Sequence, residues 1–168
     1  MDEAIALRDA GPGDAGFLFT LYCDTRAEEV SRWGWPPEQE TAFLGMQFDA
    51  RQTSYAAAYP SAVDRIVCAG QTPIGRMLTA CRAGSLCLVD IALLGPYRNR
   101  AIGTMLIQEL LDDCARLGQS LSLQVAVGSP AERLYRRLGF RESGRDAMYV
   151  QMEQLPEAIE SAPLPPTH

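Results

Sequence analysis

Apolar and polar positions along the chain switch between two periods, and the switches mark out its elements. Ile5 to Arg8 alternates and ends at the turn cluster Gly11-Pro12-Gly13, which predicts a short first strand. Asp14 then stands where a helix cap is needed. Phe17, Leu18, Leu21 and Tyr22 recur at helical spacing toward Val30. After the break Trp33-Gly34-Trp35-Pro36-Pro37, the stretch from Glu38 to about Ala58 resumes as a helix, with Phe43, Leu44, Phe48, Tyr55 and Tyr59 spaced for one buried stripe.

From Asp64 the period becomes that of strands: Arg65 to Ala69, Ile74 to Arg82 and Leu86 to Leu94, joined by turns at Gly70 to Pro73 and Ala83-Gly84-Ser85. Connections this short imply an antiparallel meander. A long helix follows with Ile102, Leu106, Leu110, Cys114 and Leu117 on one stripe, and Gly118 is its natural stop. Leu121 to Val127 reads as a strand and Ser129-Pro130 to Leu138 as a short helix. Gly139-Phe140-Arg141 and Met148 to Glu153 read as the last two strands. The expected class is α/β (α+β): a mixed, mostly antiparallel central sheet of about seven strands flanked by helices, one domain over 1–155. The segment 156–168 is proline-rich and is expected to be flexible.

Composition removes several chemistries. All 15 basic side chains are arginine, there is no lysine, and the single histidine is His168. A Schiff-base lysine, a phosphate-loop lysine, a histidine-based nucleophile and a histidine metal triad are therefore excluded, and no metal site is expected. Acid–base work falls to carboxylates, tyrosines, cysteines or water. The five cysteines (Cys23, Cys68, Cys81, Cys87, Cys114) contain no CxxC pair and mostly lie in apolar runs, which reads as reduced core thiols in a cytoplasmic protein. No apolar run approaches the ~18 residues of a membrane span, and the start lacks the pattern of a signal peptide. A net charge of −6 argues against nucleic acid and leans toward a cationic small substrate.

The chemically informative segment is Asp90 to Leu106, a strand that runs through a tight turn straight into a helix. Such a turn aims unpaired backbone N–H groups and the positive end of a helix dipole at one spot, which suits a phosphate or pyrophosphate. Ala101, Gly103 and Thr104 keep the first turn small, and Arg98 and Arg100 add charge. The competing reading is an ordinary strand-to-helix turn with two solvated arginines.

Arg98-Asn99-Arg100-Ala101-Ile102-Gly103 resembles the (Arg/Gln)-x-x-Gly-x-(Gly/Ala) coenzyme A loop of the GNAT N-acetyltransferase superfamily. Ile91-Ala92-Leu93 is similar to that family's strand whose backbone pairs with the pantetheine arm. Ser129-Pro130-Ala131-Glu132-Arg133-Leu134-Tyr135-Arg136-Arg137-Leu138-Gly139-Phe140 resembles its Asn-Pro-Ala-x-x-Leu-Tyr-x-x-Leu-Gly-Phe signature. The resemblance covers about Asp64 to Glu153. It implies the acyl-CoA N-acyltransferase fold, acetyl-CoA as cosubstrate held by Ile91 to Leu93, Arg98 to Thr104, Ser129 and Tyr135, and an amine acceptor on a small molecule or peptide. It also allows a homodimer, which no stripe in the sequence demonstrates.

Two positions depart from the pattern. Ala101 replaces the loop's central glycine: its methyl crowds the pyrophosphate if the position needs φ > 0, alanine tolerates ordinary helical φ, and weakened rather than abolished binding is expected. Ser129 replaces asparagine, so a side-chain hydrogen bond to pantetheine is shortened or lost.

Within the resemblance, Tyr135 is the match for the tyrosine that protonates the leaving sulfur; without it, a half-buried packing residue is the simpler reading. The base stays open between Asp90, Glu28 or Glu29 near the end of the first helix, and a chain of waters. Asp90 has the further alternative of bonding Arg8, Arg76 or a neighbouring loop. Trp33, Trp35, Tyr55 and Tyr59 read as core, with the walls of an apolar acceptor pocket as the alternative. Direct attack by the amine is expected over an acyl-cysteine, because no cysteine has an evident activator. Two other readings stand beside acetyl transfer: a non-catalytic coenzyme A sensor and a transferase of longer acyl groups.

Overall fold

The computed structural model describes residues 3–156. The rest of the tail expected to be flexible, 157–168, lies outside the described residues. The elements are β1 (Ile5–Asp9), α1 (Ala15–Ser31), α2 (Pro37–Ala58), β2 (Val63–Ala69), β3 (Thr72–Arg82), β4 (Ser85–Leu93), α3 (Ile102–Leu117), β5 (Ser120–Ala126), α4 (Pro130–Arg137), β6 (Arg141–Arg145) and β7 (Tyr149–Gln154). The seven strands form one mixed sheet in the order β1-β2-β3-β4-β5-β7-β6. The pairs β1–β2, β2–β3, β5–β7 and β6–β7 are antiparallel.

The described residues divide into two compact units, 3–81 with Leu88–Ile107 and Arg82–Cys87 with 108–156. In the first, Leu18 of α1 packs with Ile66 and Cys68 of β2, and Tyr22 and Val30 pack with Leu44 of α2. Phe48 touches both groups and joins them. α1 buries Leu18, Leu21, Tyr22 and Val30, as its spacing predicts. The stripe expected on α2 is thinner: Leu44 is buried, whereas Phe43, Phe48, Tyr55 and Tyr59 are half-buried. Phe43 meets Trp33 and Trp35 edge to face with ring centroids 5.5 and 5.3 Å apart, and the two tryptophans are tilted against each other at 4.9 Å, a half-buried cluster at the helix junction.

Asp14 occupies the cap position of α1 but turns backward. Its carboxylate accepts the Gly11 N–H at 2.8 Å and a bidentate pair from Arg8 at 2.8 and 2.9 Å. These bonds hold it down to about 2.

In the second unit the strand faces alternate as the pattern requires, with Leu121, Leu123 and Val125 of β5 and Val150 and Met152 of β7 buried. Two boundaries shift from the sequence expectation. Gly139 takes φ +98 and Phe140 N–H closes onto Tyr135 O at 3.0 Å, so these residues finish α4 and β6 begins at Arg141. Before β7, the Asp146 carboxylate accepts the N–H groups of Met148 and Tyr149 at 2.8 and 2.7 Å, which keeps Met148 in the turn. Cys68, Cys87 and Cys114 are buried as expected, Cys23 is half-buried, and Cys81 is exposed.

Candidate active site

After β4 the chain makes a short 3-10 turn over Gly95–Tyr97, and Arg98 is extended. Asn99 and Ala101 then lie in the left-handed region, at φ +60 and +62. The chain must reverse from an extended residue into a helix within a few residues, and left-handed backbone makes that reversal. Of the two alternatives at Ala101, the position takes positive φ rather than ordinary helical φ. Asparagine visits this region readily; alanine does so at a cost. The Ala101 carbonyl accepts the N–H of Met105 at 3.0 Å and so opens α3. The N–H groups of Ile102, Gly103 and Thr104 precede that first bond and have no partner within the helix. The space where a Gly103 Cβ would stand is clear to 4 Å.

The two loop arginines behave differently. Arg98 donates to Asp24 of α1 at 2.7 Å and through Nε to the Leu93 carbonyl at 2.9 Å. Asp24 also accepts the Gly95 N–H at 2.9 Å. One carboxylate therefore ties α1 to both ends of the loop's first turn, and the charge of Arg98 is already matched. Arg100 is exposed and lies over the Tyr97 ring at 5.6 Å.

A cavity of about 170 Å³ opens beside β4, walled by Asp90, Ile91 and Ala92 of that strand, by Arg76 of β3 and by α1 and α2. Because side chains alternate along a strand, three consecutive lining residues mean that backbone atoms form part of the wall. Close strand packing accompanies it: a Cβ on Gly75 would overlap the Ala92 carbonyl oxygen and lie 2.7 Å from Leu93 Cδ2. Asp90 faces Arg51 of α2, Oδ1 to Nη2 at 3.4 Å, rather than Arg8 or Arg76. Burial pushes the Asp90 carboxyl up against the opposing pull of Arg51 and Arg76. Arg51 Nε also donates to the Tyr55 hydroxyl at 2.6 Å. Arg76 is buried and held by Asp64 at 2.8 Å through two bonds and by Gln52 at 2.9 Å.

The other sequence candidates stand elsewhere. Glu28 is exposed and pairs with Arg32 at 3.3 Å, and Glu29 pairs with Arg26 at 2.8 Å, which lowers its carboxyl. Neither lines the cavity, nor do Trp33, Trp35, Tyr55 or Tyr59. In the second unit, Tyr135 is buried, edge-on to Phe140 with centroids 5.6 Å apart. Ser129 caps α4 by position only; the Gly128 N–H is taken by Glu132 at 3.1 Å, and Ser129 Oγ is buried without a hydrogen-bond partner. Among the described residues no group of His, Cys, Asp and Glu is placed to hold a metal ion.

The sequence matches the acetyltransferase (GNAT) family over residues 18–140, a span that runs through both units. The chain belongs to this acetyltransferase family. It is an acyltransferase of the acyl-CoA N-acyltransferase fold. Similar solved structures agree on the fold: the PaiA N-acetyltransferase of Thermoplasma acidophilum in complex with coenzyme A has a TM-score of 0.67 at 16% identity, covering 90% of this chain and 99% of that one. An acetyltransferase of Thermus thermophilus has 0.65 at 16% identity (92% and 99%), and the ribosomal-protein-S18-alanine N-acetyltransferase of Escherichia coli has 0.64 at 17% (95% and 99%). Comparison with curated protein sequences finds no match.

Several residues of this GNAT cavity escape sequence reasoning. Tyr22, Arg51 and Gln52 carry no local signature, whereas Thr25 lies in the polar fragment Cys23 to Glu29 at the end of the first helix, which reads as an acceptor contact or a solvated face. Arg76 does: an arginine inside the run Ile74 to Ala80 must find partners if the strand is buried. Gly75, interrupting the same strand, signals close backbone approach.

Proposed function

We propose that this enzyme transfers an acetyl group from acetyl-CoA to the amine of a small molecule or peptide by direct attack in a ternary complex, using residues 1–155 as one acetyltransferase domain in the cytoplasm. The observation that carries the reading is the left-handed turn at Asn99 and Ala101 opening onto α3, whose first three N–H groups have no partner within the helix and where the space beside Gly103 Cα is clear to 4 Å. The residues present fit coenzyme A. The first turn of α3 with Arg100 suits the pyrophosphate, the backbone of Ile91 to Leu93 suits the pantetheine amides, and the unpartnered Ser129 Oγ is a hydroxyl in want of a hydrogen bond. Bound there, acetyl-CoA supplies an activated acyl thioester.

The protein's part is positioning and proton traffic. An alkyl ammonium with a pKa near ~10.4 must lose a proton before it can attack. Asp90, raised by burial, is a stronger base than an ordinary carboxylate and stands on the cavity wall beside Ile91 and Ala92. A backbone N–H of that strand polarises the carbonyl. The N–C bond forms as the C–S bond breaks. Of the two protons that leave nitrogen, one passes by way of Asp90 to solvent; the sulfur takes its proton from the Tyr135 hydroxyl, which the other proton replenishes through water. Arg98 is assigned to holding the loop on Asp24, and Glu28 and Glu29 to surface pairs.

Calorimetric titration with acetyl-CoA and thiol release over a panel of amines test this. Binding and amine-dependent thiol release are expected, with Tyr135→Phe lowering turnover by ~10²-fold while the Kd for acetyl-CoA holds. No binding at millimolar acetyl-CoA overturns the function, and unaltered turnover removes Tyr135 from it.

A further inference from the structure

The cavity beside Asp90 is small and carries an unequal pair of arginines. By volume it compares with an engineered cavity of about 150 Å³ that accepts benzene, so the part of an acceptor seated in it is small. Leu18, Leu21 and Phe48 make one side apolar. Arg76 is saturated by Asp64 and Gln52. Arg51 is not: its Nε meets the neutral Tyr55 hydroxyl, Asp90 is reached only at 3.4 Å through Nη2, and Nη1 has no hydrogen bond among the described residues. A guanidinium with a free edge is a fork for a carboxylate, and Arg51 is rigidly placed for that by the rings of Tyr22 and Tyr55, 5.7 and 5.2 Å from its Cζ.

The spacing then selects the acceptor. Asp90 and Arg51 sit side by side, so an acceptor that brings an ammonium to Asp90 has room for an anion one carbon away at Arg51. A second ammonium there would meet two arginines. Net charge had pointed to a cationic acceptor, but the cavity's own charges point to a zwitterion. Resting on the acetyl-transfer reading, we propose that the acceptor is a free α-amino acid with a small or medium apolar side chain, its carboxylate held by Arg51 and its amine presented to Asp90 and the Ile91–Ala92 backbone. The product is the N-acetyl amino acid, with free coenzyme A thiol released and one proton given to solvent.

The test compares L-leucine, L-leucinamide, a leucyl dipeptide and 3-methylbutylamine as acceptors for the full chain, with thiol release and thermal shift read in parallel. Leucine is expected to exceed leucinamide in kcat/KM by at least about 10-fold, and Arg51→Gln to lower that ratio by about 10- to 100-fold, a change in selectivity that mere destabilisation would not produce. Arg51→Lys, which keeps the charge and loses the fork, restores part of the ratio. Equal use of leucine and leucinamide, or preference for the dipeptide or the plain amine, overturns the proposal while leaving acetyl transfer intact. Leucine that stabilises the wild type, does so less in Arg51→Gln, and is not acetylated supports the Arg51 site and overturns the transfer. Neither binding nor acetylation of any acceptor overturns both.

Discussion

Exchanging the two small residues of the loop, Ala101→Gly and Gly103→Ala, separates backbone strain from ligand approach. At φ +62 an alanine costs about 1–2 kcal/mol relative to relaxed backbone, and a glycine there removes that strain. The new glycine loses about 0.4–1 kcal/mol through the freer unfolded chain. Ala101→Gly should therefore stabilise by about 0.5–1 kcal/mol, or about 1–4 °C in Tm for a chain of this size. Gly103 lies within α3 and has no left-handed φ, so Gly103→Ala should also stabilise, by about 0.5 kcal/mol through helix propensity. The variants part in binding. The methyl of Gly103→Ala occupies space clear to 4 Å and is the alanine that the resembled loop admits at this position, so its affinity should hold, whereas the branched side chain of Gly103→Val overpacks a pyrophosphate at about 1–3 kcal/mol and weakens acetyl-CoA by about tenfold or more. Ala101→Gly should bind as well as the wild type or better. Scanning calorimetry and acetyl-CoA titration read both quantities. A lower Tm for Ala101→Gly refutes the strain, and unchanged affinity in Gly103→Val refutes anion binding at this turn.

Gly75→Ala forces a methyl into the Ala92 carbonyl and should cost about 1–3 kcal/mol by urea unfolding while depressing turnover, since Ala92 walls the cavity; wild-type stability would show that β3 and β4 are less closely packed. Asp24→Ala releases both Gly95 N–H and Arg98, and because the pair is partly exposed a loss of about 1 kcal/mol is expected, with faster amide exchange at Gly95 as the direct readout. If Asp90 is the base, the acid limb of kcat/KM lies above the ordinary carboxylate range, and Arg51→Gln, by removing the opposing positive charge, moves it to higher pH; a limb that stays put removes Asp90. The same raised value makes Asp90 favour the fold at low pH, a contribution lost as pH rises through it. Asp14 has the opposite sign. Lowered from 3.8 to about 2, it supports the fold above 3.8 and ceases to as pH falls toward 2, so Asp14→Asn should flatten the acid side of a Tm-against-pH curve.

What was legible in the sequence was what short stretches dictate. Periodicity placed every helix within a residue or two, since burying one face of a helix or strand leaves a mark at fixed spacing. The strands' turn residues gave the meander, and two motifs gave the family. The misplaced boundaries, at Gly139 and Met148, are those where a cap or a carboxylate two or three residues away competes with the strand ladder. The roles of the site residues needed more. Local sequence offers Arg98 as a phosphate ligand, and only the fold brings Asp24, 74 residues earlier, to neutralise it.

Sequence alone therefore determined the elements, the family and the exclusion of lysine and histidine chemistry, because composition and local pattern act on any conformation the chain adopts. Tertiary structure decided that Ala101 is left-handed, that Asp90 is half-buried and faces Arg51 from 39 residues away, and that Glu28 and Glu29 stand outside the cavity. A charge acquires its chemistry from its neighbours and its dielectric, and those are set by contacts between residues distant in the chain.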